Sequence, residues 1–600
     1  MITAVALPHW DMTVVYPSLE SPEFEAGMQA AVQGIAALEA LFDAHHVAQS
    51  EHAPLTDAVV VGFEEVTTRY NELVTEVGTL GSYIYAFVST NSRDDMAQAR
   101  LSELDNYTVL LSQLGTRYTA WIGSLDVEAL IKRSPLAADH AFALRKAWLE
   151  ARHLMSPAEE DLAATLNLTG GGAWGKLHNN LTSQLVAPVE LHGEVRDLPM
   201  SMVRNLAFDA DREVRRRAYE AELAAWQRVE TPLAAAMNSI KGQVGALATR
   251  RGWAAPLDEA LADNNIDRAT LDAMLDAARA SFPQFRRYLK AKARALGLPA
   301  LAWYDMFAPL DADGAVWEFE QGAQFIEEQF GAYSPRLRDF AARAFRERWV
   351  DAEPRAGKRD GAYCMSLRRD ESRVFMNYKP VYTSVSTLAH ELGHGYHNLN
   401  LAHRTPLQSQ TPMALAETAS IFCETIISQA ALKTAGPRAQ VAILEESLQG
   451  NCQVVVDITS RFLLESRIFE GRPNREFSVG ELKEMMLAAQ RETYGDGLDN
   501  DLLHPYMWAM KPHYYSAGRS FYNWPYMFGL LFGLGLYALY QRDPEAFIGR
   551  YDDLLSSTGL ADAATLASRF DIDIRSPEFW HASLEIIGQD VQRFEAATAR

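Results

Sequence analysis

Apolar residues recur every three or four positions along most of the chain, and this spacing predicts a protein built mainly from α-helices. The pattern is longest in segments rich in the helix-favouring residues Ala, Leu, Glu and Arg. These segments are residues 24–47, 57–88, 94–114, 209–250, 267–294 and 317–347. Within 208–227, Val214, Ala218, Ala221 and Ala225 form one apolar stripe with arginines on the opposite side. A single apolar stripe is typical of a helix packed against a core.

Alternating patterns typical of strands are few. Residues 183–199, "SQLVAPVELHGEVRDLP", predict a small hairpin that turns near His192. Residues 372–380, "SRVFMNYKP", predict a short strand that Pro380 ends, and residues 357–367 could pair with it. We therefore expect a mainly α fold with a small β-sheet beside the helix that follows. The hairpin region also suggests a boundary between an N-terminal helical lobe, 1–185, and a second lobe, 186–600.

The composition is that of a globular protein, with 48% hydrophobic and 22% charged residues among 600. A net charge of −22 opposes binding to nucleic acid, which requires clustered Lys and Arg. The three cysteines do not form a disulfide framework, and the first twenty residues lack a basic segment typical of a secretory signal. The most apolar stretch, 526–540, is too short to cross a bilayer. We expect a cytoplasmic protein with neither nucleic acid nor membrane as a partner.

Two glycine-rich stretches resemble phosphate-binding loops only superficially. "GGGAWGK", residues 170–176, has the spacing of a phosphate loop, but Leu177 replaces the required Ser or Thr. A helical pattern precedes it where a strand is needed, so a turn before a helix is the better interpretation. "GLLFGLG", residues 529–535, lies in an apolar segment and indicates close helix packing.

The stretch "TLAHELGHGYHNLN", residues 387–400, carries the chemistry. His390 and His394 are four apart, so both imidazoles project from one face of a helix and could bind one metal ion. Zinc accepts imidazole nitrogens and, in catalytic sites, keeps one position for water. Glu391 lies where a carboxylate can act on a zinc-bound water without binding the metal. Gly393 leaves space for another backbone or a substrate to approach.

A catalytic zinc site needs a third ligand. The pattern H-E-x-x-H-x-x-G-x-x-H is excluded, because His397 occupies its glycine position and Asn400 its last histidine position. The predicted helix 414–430, "ALAETASIFCETIISQA", carries Glu417 and Glu424 seven residues apart, hence on one face. Two carboxylates on a mostly apolar helix are costly without a positive partner. We assign Glu417 as the third ligand and Glu424 as the acceptor that orients a zinc-bound imidazole.

Several separated motifs, in this order, resemble the oligoendopeptidase F and thimet oligopeptidase family of zinc metallopeptidases. They are "TLAHELGHGYH", "AETASIFCE" and "HYYSAGRSFYNWPYMFG", residues 513–529. Segments "ALAWYDMFAPL", "GKRDGAYC", "VFMNY" and "GGAWGKL" resemble the oligoendopeptidase F branch. The resemblance implies helical lobes around a deep channel with one zinc ion at its floor.

The same resemblance implies roles for individual residues. His390, His394 and Glu417 would bind zinc, and Glu391 would be the general base. His397 would lie near the site without binding the metal. His513 and one or both of Tyr522 and Tyr526 would stabilise the oxyanion; on one helix, four residues apart, the two tyrosines could face the same cleft. Trp524 stands where some relatives carry another tyrosine, and the spacing from histidine to tyrosine differs from the thimet type.

These residues predict a zinc-dependent endopeptidase that hydrolyses internal bonds of short unstructured oligopeptides by means of a zinc-bound water and a glutamate base. The strand 373–378 could hold the substrate backbone by strand addition, which makes Asn377 and Tyr378 candidate substrate contacts. A zinc metallocarboxypeptidase that removes C-terminal residues is the alternative, with Arg519 or Lys511 as the carboxylate anchor. A non-catalytic peptide-binding protein with a zinc site is a second alternative.

Overall fold

Eight helices precede the first strand in the part of the chain that the computed structural model describes, residues 7–50, 54–191, 193–310 and 316–599. Ser21, Thr56 and Asp94 each accept a hydrogen bond from a backbone N–H three residues on, which fixes where the first three helices begin. The predicted helices 24–47, 57–88 and 94–114 are confirmed, the third continuing to Gly123. The helices are α1 (Pro22–Ala44), α2 (Asp57–Thr90), α3 (Asp95–Gly123), α4 (Val127–Arg133), α5 (Pro135–Asp139), α6 (Ala141–Ala151), α7 (Pro157–Asn167) and α8 (Gly171–Gln184).

The predicted hairpin is present as antiparallel strands β1 (Val186–Leu191) and β2 (Glu194–Pro199). The expected turn residue, His192, lies outside the described residues. The helix that begins at Gly171 confirms that "GGGAWGK" opens a helix and follows another helix, α7. A strand is therefore missing where a phosphate loop would need one.

Six helices follow the hairpin. The predicted helices 209–250 and 267–294 are confirmed, but the single helix predicted over 317–347 is wrong. Pro335 begins a new helix there and holds the preceding Ser334 in an extended conformation. The helices are α9 (Met200–Asn205), α10 (Arg212–Arg250), α11 (Pro256–Asp263), α12 (Arg268–Ala295), α13 (Phe319–Tyr333) and α14 (Pro335–Arg346).

A three-stranded sheet stands beside the next helix, as expected. It consists of β3 (Val350–Asp351), β4 (Tyr363–Arg368) and β5 (Glu371–Phe375), in the order β3-β5-β4. The antiparallel pairing of β4 with β5 confirms the pairing proposed for 357–367 and 372–380. The two-residue strand β3, parallel to β5, is too short to leave a sequence pattern.

Eleven helices follow the sheet along the described part of the chain. A short 3₁₀ turn, Pro512–Tyr515, precedes the apolar helix that begins at Trp524. None of the helices in the described ranges is both long and apolar enough to span a bilayer. The helices are α15 (Tyr382–Leu401), α16 (Met413–Ala416), α17 (Thr418–Thr434), α18 (Pro437–Cys452), α19 (Ile458–Gly471), α20 (Val479–Tyr494), α21 (Met507–Met510), α22 (Trp524–Arg542), α23 (Pro544–Leu555), α24 (Ala563–Ser568) and α25 (Pro577–Thr598).

Buried apolar side chains form two clusters. The smaller draws on α1 to α6 together with Leu367 of β4, and the larger runs from Leu185 to Phe594. The lobe boundary at 185/186 stays a prediction. Segment 402–412, between α15 and α16, contacts the N-terminal helical region that forms the smaller cluster. Thr405 Oγ1 is 2.8 Å from His140 Nε2, and the Leu407 backbone N–H donates to Asn71 Oδ1 at 3.1 Å.

Candidate active site

Two histidines on α15 and a glutamate that follows α16 converge on one point. His390 Nε2 and His394 Nε2 lie 3.3 and 3.5 Å from the same oxygen of Glu417, Oε2. One ligand atom from each of the three residues lies within 4.8 Å of the other two. The imidazole planes are nearly perpendicular, at 81°. The spacing of four on one helix face therefore brings the two histidines together as the sequence predicts.

Glu417 lies at a break between α16 and α17 rather than inside one helix. The prediction of one continuous helix over 414–430 is wrong at this position, although both glutamates still reach His390. The break turns the Glu417 carboxylate towards α15, and Ser420 Oγ donates to it at 2.7 Å. Burial acts to raise the pKa of Glu417, but His390 and His394 outweigh it and bring the pKa to about 2.

Two glycines allow the elements around Glu417 to approach closely. A Cβ at Gly393 would lie 2.6 Å from the Ala419 carbonyl oxygen and 2.6 Å from Ser420 Cα. A Cβ at Gly529 of α22 would lie 2.6 Å from Glu417 Cβ. The close approach predicted at Gly393 and within "GLLFGLG" is confirmed, and both glycines pack α15 and α22 against Glu417 and the start of α17.

Glu424 accepts a hydrogen bond from His390 Nδ1 at 2.9 Å. This contact leaves Nε2 of the same ring free to face Glu417 and a metal ion. Burial acts to lower the pKa of His390, but Glu417 and Glu424 outweigh it and raise that pKa well above its usual value. The pair of carboxylates therefore stabilises positive charge at His390, which a divalent cation would supply in place of the proton.

Glu391 is buried, with 6% of its surface exposed, and its Oε2 has no hydrogen-bond partner among the described residues. Burial raises the pKa of Glu391 to about 7, against the opposing charge of His390. The carboxyl group faces a cavity of about 560 Å³ that His390, His394 and Glu417 also line. A buried carboxylate oxygen that lies beside two imidazoles and has no hydrogen-bond partner is typical of a proton acceptor in a functional site.

His397 lines the same cavity one helical turn beyond His394, but its Nε2 is 2.9 Å from Thr558 Oγ1. Burial lowers the pKa of His397 to about 4 and keeps the ring neutral. It lies outside the group of three possible ligands. Its supporting role beside the metal stays a prediction.

His513, Tyr522 and Tyr526 form a second group. The hydroxyls of the two tyrosines are 2.8 Å apart, and the rings of His513 and Tyr522 are 6.0 Å apart. The two tyrosines were expected on one helix, but α22 begins at Trp524 and Tyr522 lies in the turn before it. Burial raises the pKa of Tyr526, and Tyr522 and the charge of Glu417 raise it further. None of His513, Tyr522 and Tyr526 lines the cavity beside Glu391, and their role at the oxyanion stays a prediction.

The substrate contacts proposed on strand 373–378 need a correction. β5 is the central strand, with β3 on one side and β4 on the other, so it has no free edge for strand addition. Asn377 Nδ2 donates to the Arg359 carbonyl at 2.9 Å. Tyr378 is buried, and its hydroxyl donates to the Trp317 carbonyl at 2.9 Å. Both side chains are held by contacts within the chain, and contact of either with a substrate stays a prediction.

The outer strand β4 is the part of the site that sequence reasoning missed. Cys364 of β4 and the preceding Ala362 line the cavity beside Glu391, and the Cys364 backbone N–H points towards that carboxyl group. β4 differs from β5 in lying at the edge of the sheet. β5 is central because β3, which the sequence did not predict, pairs with its other side. No pattern in the sequence marks that position.

The residues of the cluster fit a metal ion. Two imidazole nitrogens and a carboxylate converge on one point, and Glu424 orients one imidazole from behind. This donor set is the one that catalytic zinc sites use. The unpaired Glu391 oxygen lies where a proton acceptor for water would be needed.

Comparisons with known proteins agree with this chemistry. Residues 205–586 match the family described as Peptidase family M3, and residues 122–186 match Oligopeptidase F. The chain is 22% identical over 608 residues to an oligoendopeptidase F homolog of Lactococcus lactis subsp. lactis, covering 98% of this chain and 96% of that protein. It is 21% identical over 465 residues to oligopeptidase PepF of Bacillus subtilis, covering 76% and 68%.

Solved structures share the fold. A protein from Chlamydophila abortus has a TM-score of 0.82 at 20% identity, covering 98% of each chain. Oligoendopeptidase-F from Enterococcus faecium has a TM-score of 0.70 at 16% identity, covering 96% of this chain and 99% of that one. The family match spans more than half of the sequence and contains the whole histidine–glutamate cluster. The chain therefore belongs to peptidase family M3 and is a metalloendopeptidase of the oligoendopeptidase F type.

Proposed function

We propose that this protein is a zinc-dependent endopeptidase that hydrolyses internal bonds of short, unstructured oligopeptides, with Glu391 as the general base. One observation carries the proposal. His390, His394 and Glu417 converge in one cavity beside the buried carboxylate of Glu391, whose Oε2 has no hydrogen-bond partner among the described residues. Metal ligands and a proton acceptor are thus available to the same reacting atoms.

One zinc ion per chain would be held by His390, His394 and Glu417, with Glu424 fixing the orientation of His390. When bound, zinc polarises the scissile carbonyl and makes water more acidic. Glu391 takes the proton of the attacking water and passes it to the leaving amine.

His513 and the tyrosine pair are proposed to stabilise the oxyanion that develops on the carbonyl. Burial lowers the pKa of His513 to about 2, so the ring stays neutral and can donate only one N–H. Asn523 Nδ2 lies 2.6 Å from His513 Nε2, which leaves Nδ1 to carry the proton. One tyrosine hydroxyl donates to the other, and the second keeps its hydrogen for the substrate. Neutral donors fixed in this way stabilise a developing negative charge.

The free edge of β4 is the proposed binding surface for the substrate backbone, in place of strand 373–378. Ala362 and Cys364 lie on this edge and line the cavity beside Glu391. An extended peptide could pair with their backbone groups without any requirement on its side chains. Such pairing suits an enzyme that accepts many short peptides.

The substitution Glu391→Gln tests the assigned base. It removes the proton acceptor but preserves size and burial, so we expect kcat to fall by roughly 10²–10⁴ while zinc stays bound. Hydrolysis of a fluorogenic peptide and zinc content measured by atomic absorption check this on one preparation. Undiminished hydrolysis by the zinc-loaded variant would refute the role of Glu391.

A peptide acetylated at its N-terminus and amidated at its C-terminus separates the endopeptidase from the carboxypeptidase alternative. We expect cleavage at an internal bond, identified by mass spectrometry of both fragments. A carboxypeptidase needs the free terminal carboxylate that Lys511 or Arg519 would anchor. If only the peptide with a free C-terminus were cleaved, one residue at a time, the carboxypeptidase would be favoured.

A further inference from the structure

A second cavity of about 410 Å³ adjoins the first along the loop that precedes β4. Asp360 of this loop lines the second cavity, and Ala362, two residues on, lines the cavity of Glu391. Lys511 also lines the second cavity, and it lies two residues before His513. The two cavities are therefore neighbours at the loop before β4, because residues two apart in the chain lie within about 7 Å of each other.

Lys511 differs from the arginines around it, because they have acidic partners. Among the described residues, Lys511 makes neither an ion pair nor a hydrogen bond through its ammonium group. The arginines that line the same cavity each contact a carboxylate. The pairs are Arg461–Asp457, Arg215–Asp305 at 3.0 Å and Arg204–Glu222 at 4.0 Å.

Lys511 is half-buried where it lines the cavity, within range of the charges of Arg461, Asp457, Arg204 and Glu222. Burial is the main reason why the pKa of Lys511 falls to about 7, and the positive charge of Arg461 acts in the same direction. An ammonium group that is partly removed from water and has no acidic partner carries a desolvation cost that an incoming carboxylate would offset. Asp360 is exposed, so water screens its charge from the ammonium group.

We propose that the cavity around Lys511 is an anion-binding subsite, in which Lys511 binds a carboxylate of the peptide substrate. The carboxylate is either the C-terminus of a short peptide or the side chain of an acidic residue. The inference rests on the proposed peptidase function, since it requires a peptide in the adjoining cleft. Lys511 would determine specificity and would not take part in the bond-breaking step.

Three peptides of the same length distinguish the sources of the carboxylate. The first is blocked at both ends and uncharged, the second has a free C-terminus, and the third is blocked but has Glu in place of one Gln. KM is measured with the zinc-loaded enzyme, and Kd by calorimetry with zinc-loaded Glu391→Gln. We expect the second or the third peptide to bind about tenfold more tightly than the first, as for a hydrogen bond to a charged group.

The variant Lys511→Met should bring the acidic and neutral peptides to equal affinity, whereas Lys511→Arg should keep the preference. Lys290→Met is the matched control, because Lys290 is exposed, pairs with Asp496 and does not line the cavity. Its preference should equal that of the unmodified enzyme. Zinc content and melting temperature show whether Lys511→Met is folded, and the comparison of three peptides on the unmodified enzyme needs no variant.

Equal KM and Kd for all three peptides would overturn the inference while leaving the peptidase intact. So would a preference that survives Lys511→Met. Failure of the unmodified, zinc-loaded enzyme to hydrolyse any of the three would instead refute the proposed function. The two ideas therefore fail by different results.

Discussion

His390 uses its two ring nitrogens for different purposes. Nδ1 contacts Glu424 and Nε2 faces Glu417, so the ring is held from both sides. In the described part of the chain, the carboxylate that contacts His394 is Glu417, and no second carboxylate orients the ring from behind. Burial lowers the pKa of His394 to about 4 and keeps the ring neutral. The two histidines of one motif therefore differ in what orients them, and His390 depends more on its surroundings.

Replacement of Glu424 with Gln should weaken zinc binding. The amide is a poorer acceptor for His390 Nδ1–H, and loss of such a partner typically lowers metal affinity about 10–100-fold. Competition with a chromogenic chelator measures the change. Glu446→Gln is the control, because Glu446 accepts from Thr383 Oγ1 at 2.8 Å and makes no hydrogen bond to His390. Equal zinc affinity for the two variants would contradict the orienting role of Glu424.

His397 should make the protein less stable as pH falls. Its pKa is about 4 in the folded protein and about 6.5 when unfolded, so between these values the unfolded chain binds more protons. The stability that the neutral ring contributes is complete above pH 6.5 and is lost progressively down to pH 4. From pH 7 to 5 the loss is about 2 kcal/mol.

Urea unfolding in chelator checks this, with His397→Asn as the comparison. Both proteins lose stability on acidification, and the unmodified protein should lose about 2 kcal/mol more than the variant. Chelator removes any contribution from metal loss. Parallel pH dependence of the two proteins would show that His397 is not held neutral in the fold.

At the scale of elements, the contact between α15 and α17 decides whether the ligands meet. Backbone packs on backbone at Gly393, with no side chain between the helices. Rigid backbone atoms cannot rotate away as a flexible side chain can, so any added atom must separate the helices. The absence of a side chain at Gly393 therefore determines how closely α15, with His394, can approach Glu417.

Gly393→Ala should lower stability by about 1–3 kcal/mol and weaken zinc binding more than tenfold. The new Cβ would overlap the Ala419 carbonyl and push Glu417 away from α15. Gly78→Ala in α2 is the control, since nothing lies within 4 Å of a Cβ there, and it should be neutral or slightly stabilising. Thermal unfolding and chelator competition measure both effects. A fully active, zinc-binding Gly393→Ala would contradict the packing argument.

Local sequence patterns correctly predicted the helices and strands that are determined by residues close together in the chain. The period of α15 and the spacing of His390 and His394 gave the right helix, and the alternation of 372–380 gave a strand and its partner. The break at Glu417, the central position of β5 and the turn at Tyr522 depend on contacts with distant segments. Such contacts leave no periodic signal in the chain. Glu417 was proposed as the third ligand from its chemistry and not from its conformation, and the structure places it beside His390 and His394.

At the scale of the whole molecule, the site is walled by segments far apart in sequence. The cavity beside Glu391 is bounded by α15, by β4 and by residues 409–411 of segment 402–412. Helices of both hydrophobic clusters support these walls. The deep channel that the family resemblance implies, which would admit only extended chains, stays a prediction.

A peptide cleaved rapidly when free should resist cleavage when it forms a surface loop of a folded protein. We expect a difference in kcat/KM of at least about a hundredfold, because the loop cannot reach β4 without unfolding its host. The same fusion, unfolded by destabilising substitutions in the host, serves as the control and should regain cleavage. Gel electrophoresis and mass spectrometry follow both. Equal cleavage of loop and free peptide would refute a restricted entrance.

Segment 402–412 links the two histidines to Glu417, and it is tethered to the N-terminal helices. Besides Thr405 and Leu407, Gln408 Nε2 donates to the Asp139 carbonyl at 3.0 Å. The first 150 residues therefore could not be exchanged freely for those of a relative. A foreign N-terminal region would have to reproduce these hydrogen bonds before Glu417 could reach its position beside the histidines. Chimeras between relatives should therefore succeed only when segment 402–412 and the residues that it contacts in the N-terminal helices come from the same parent.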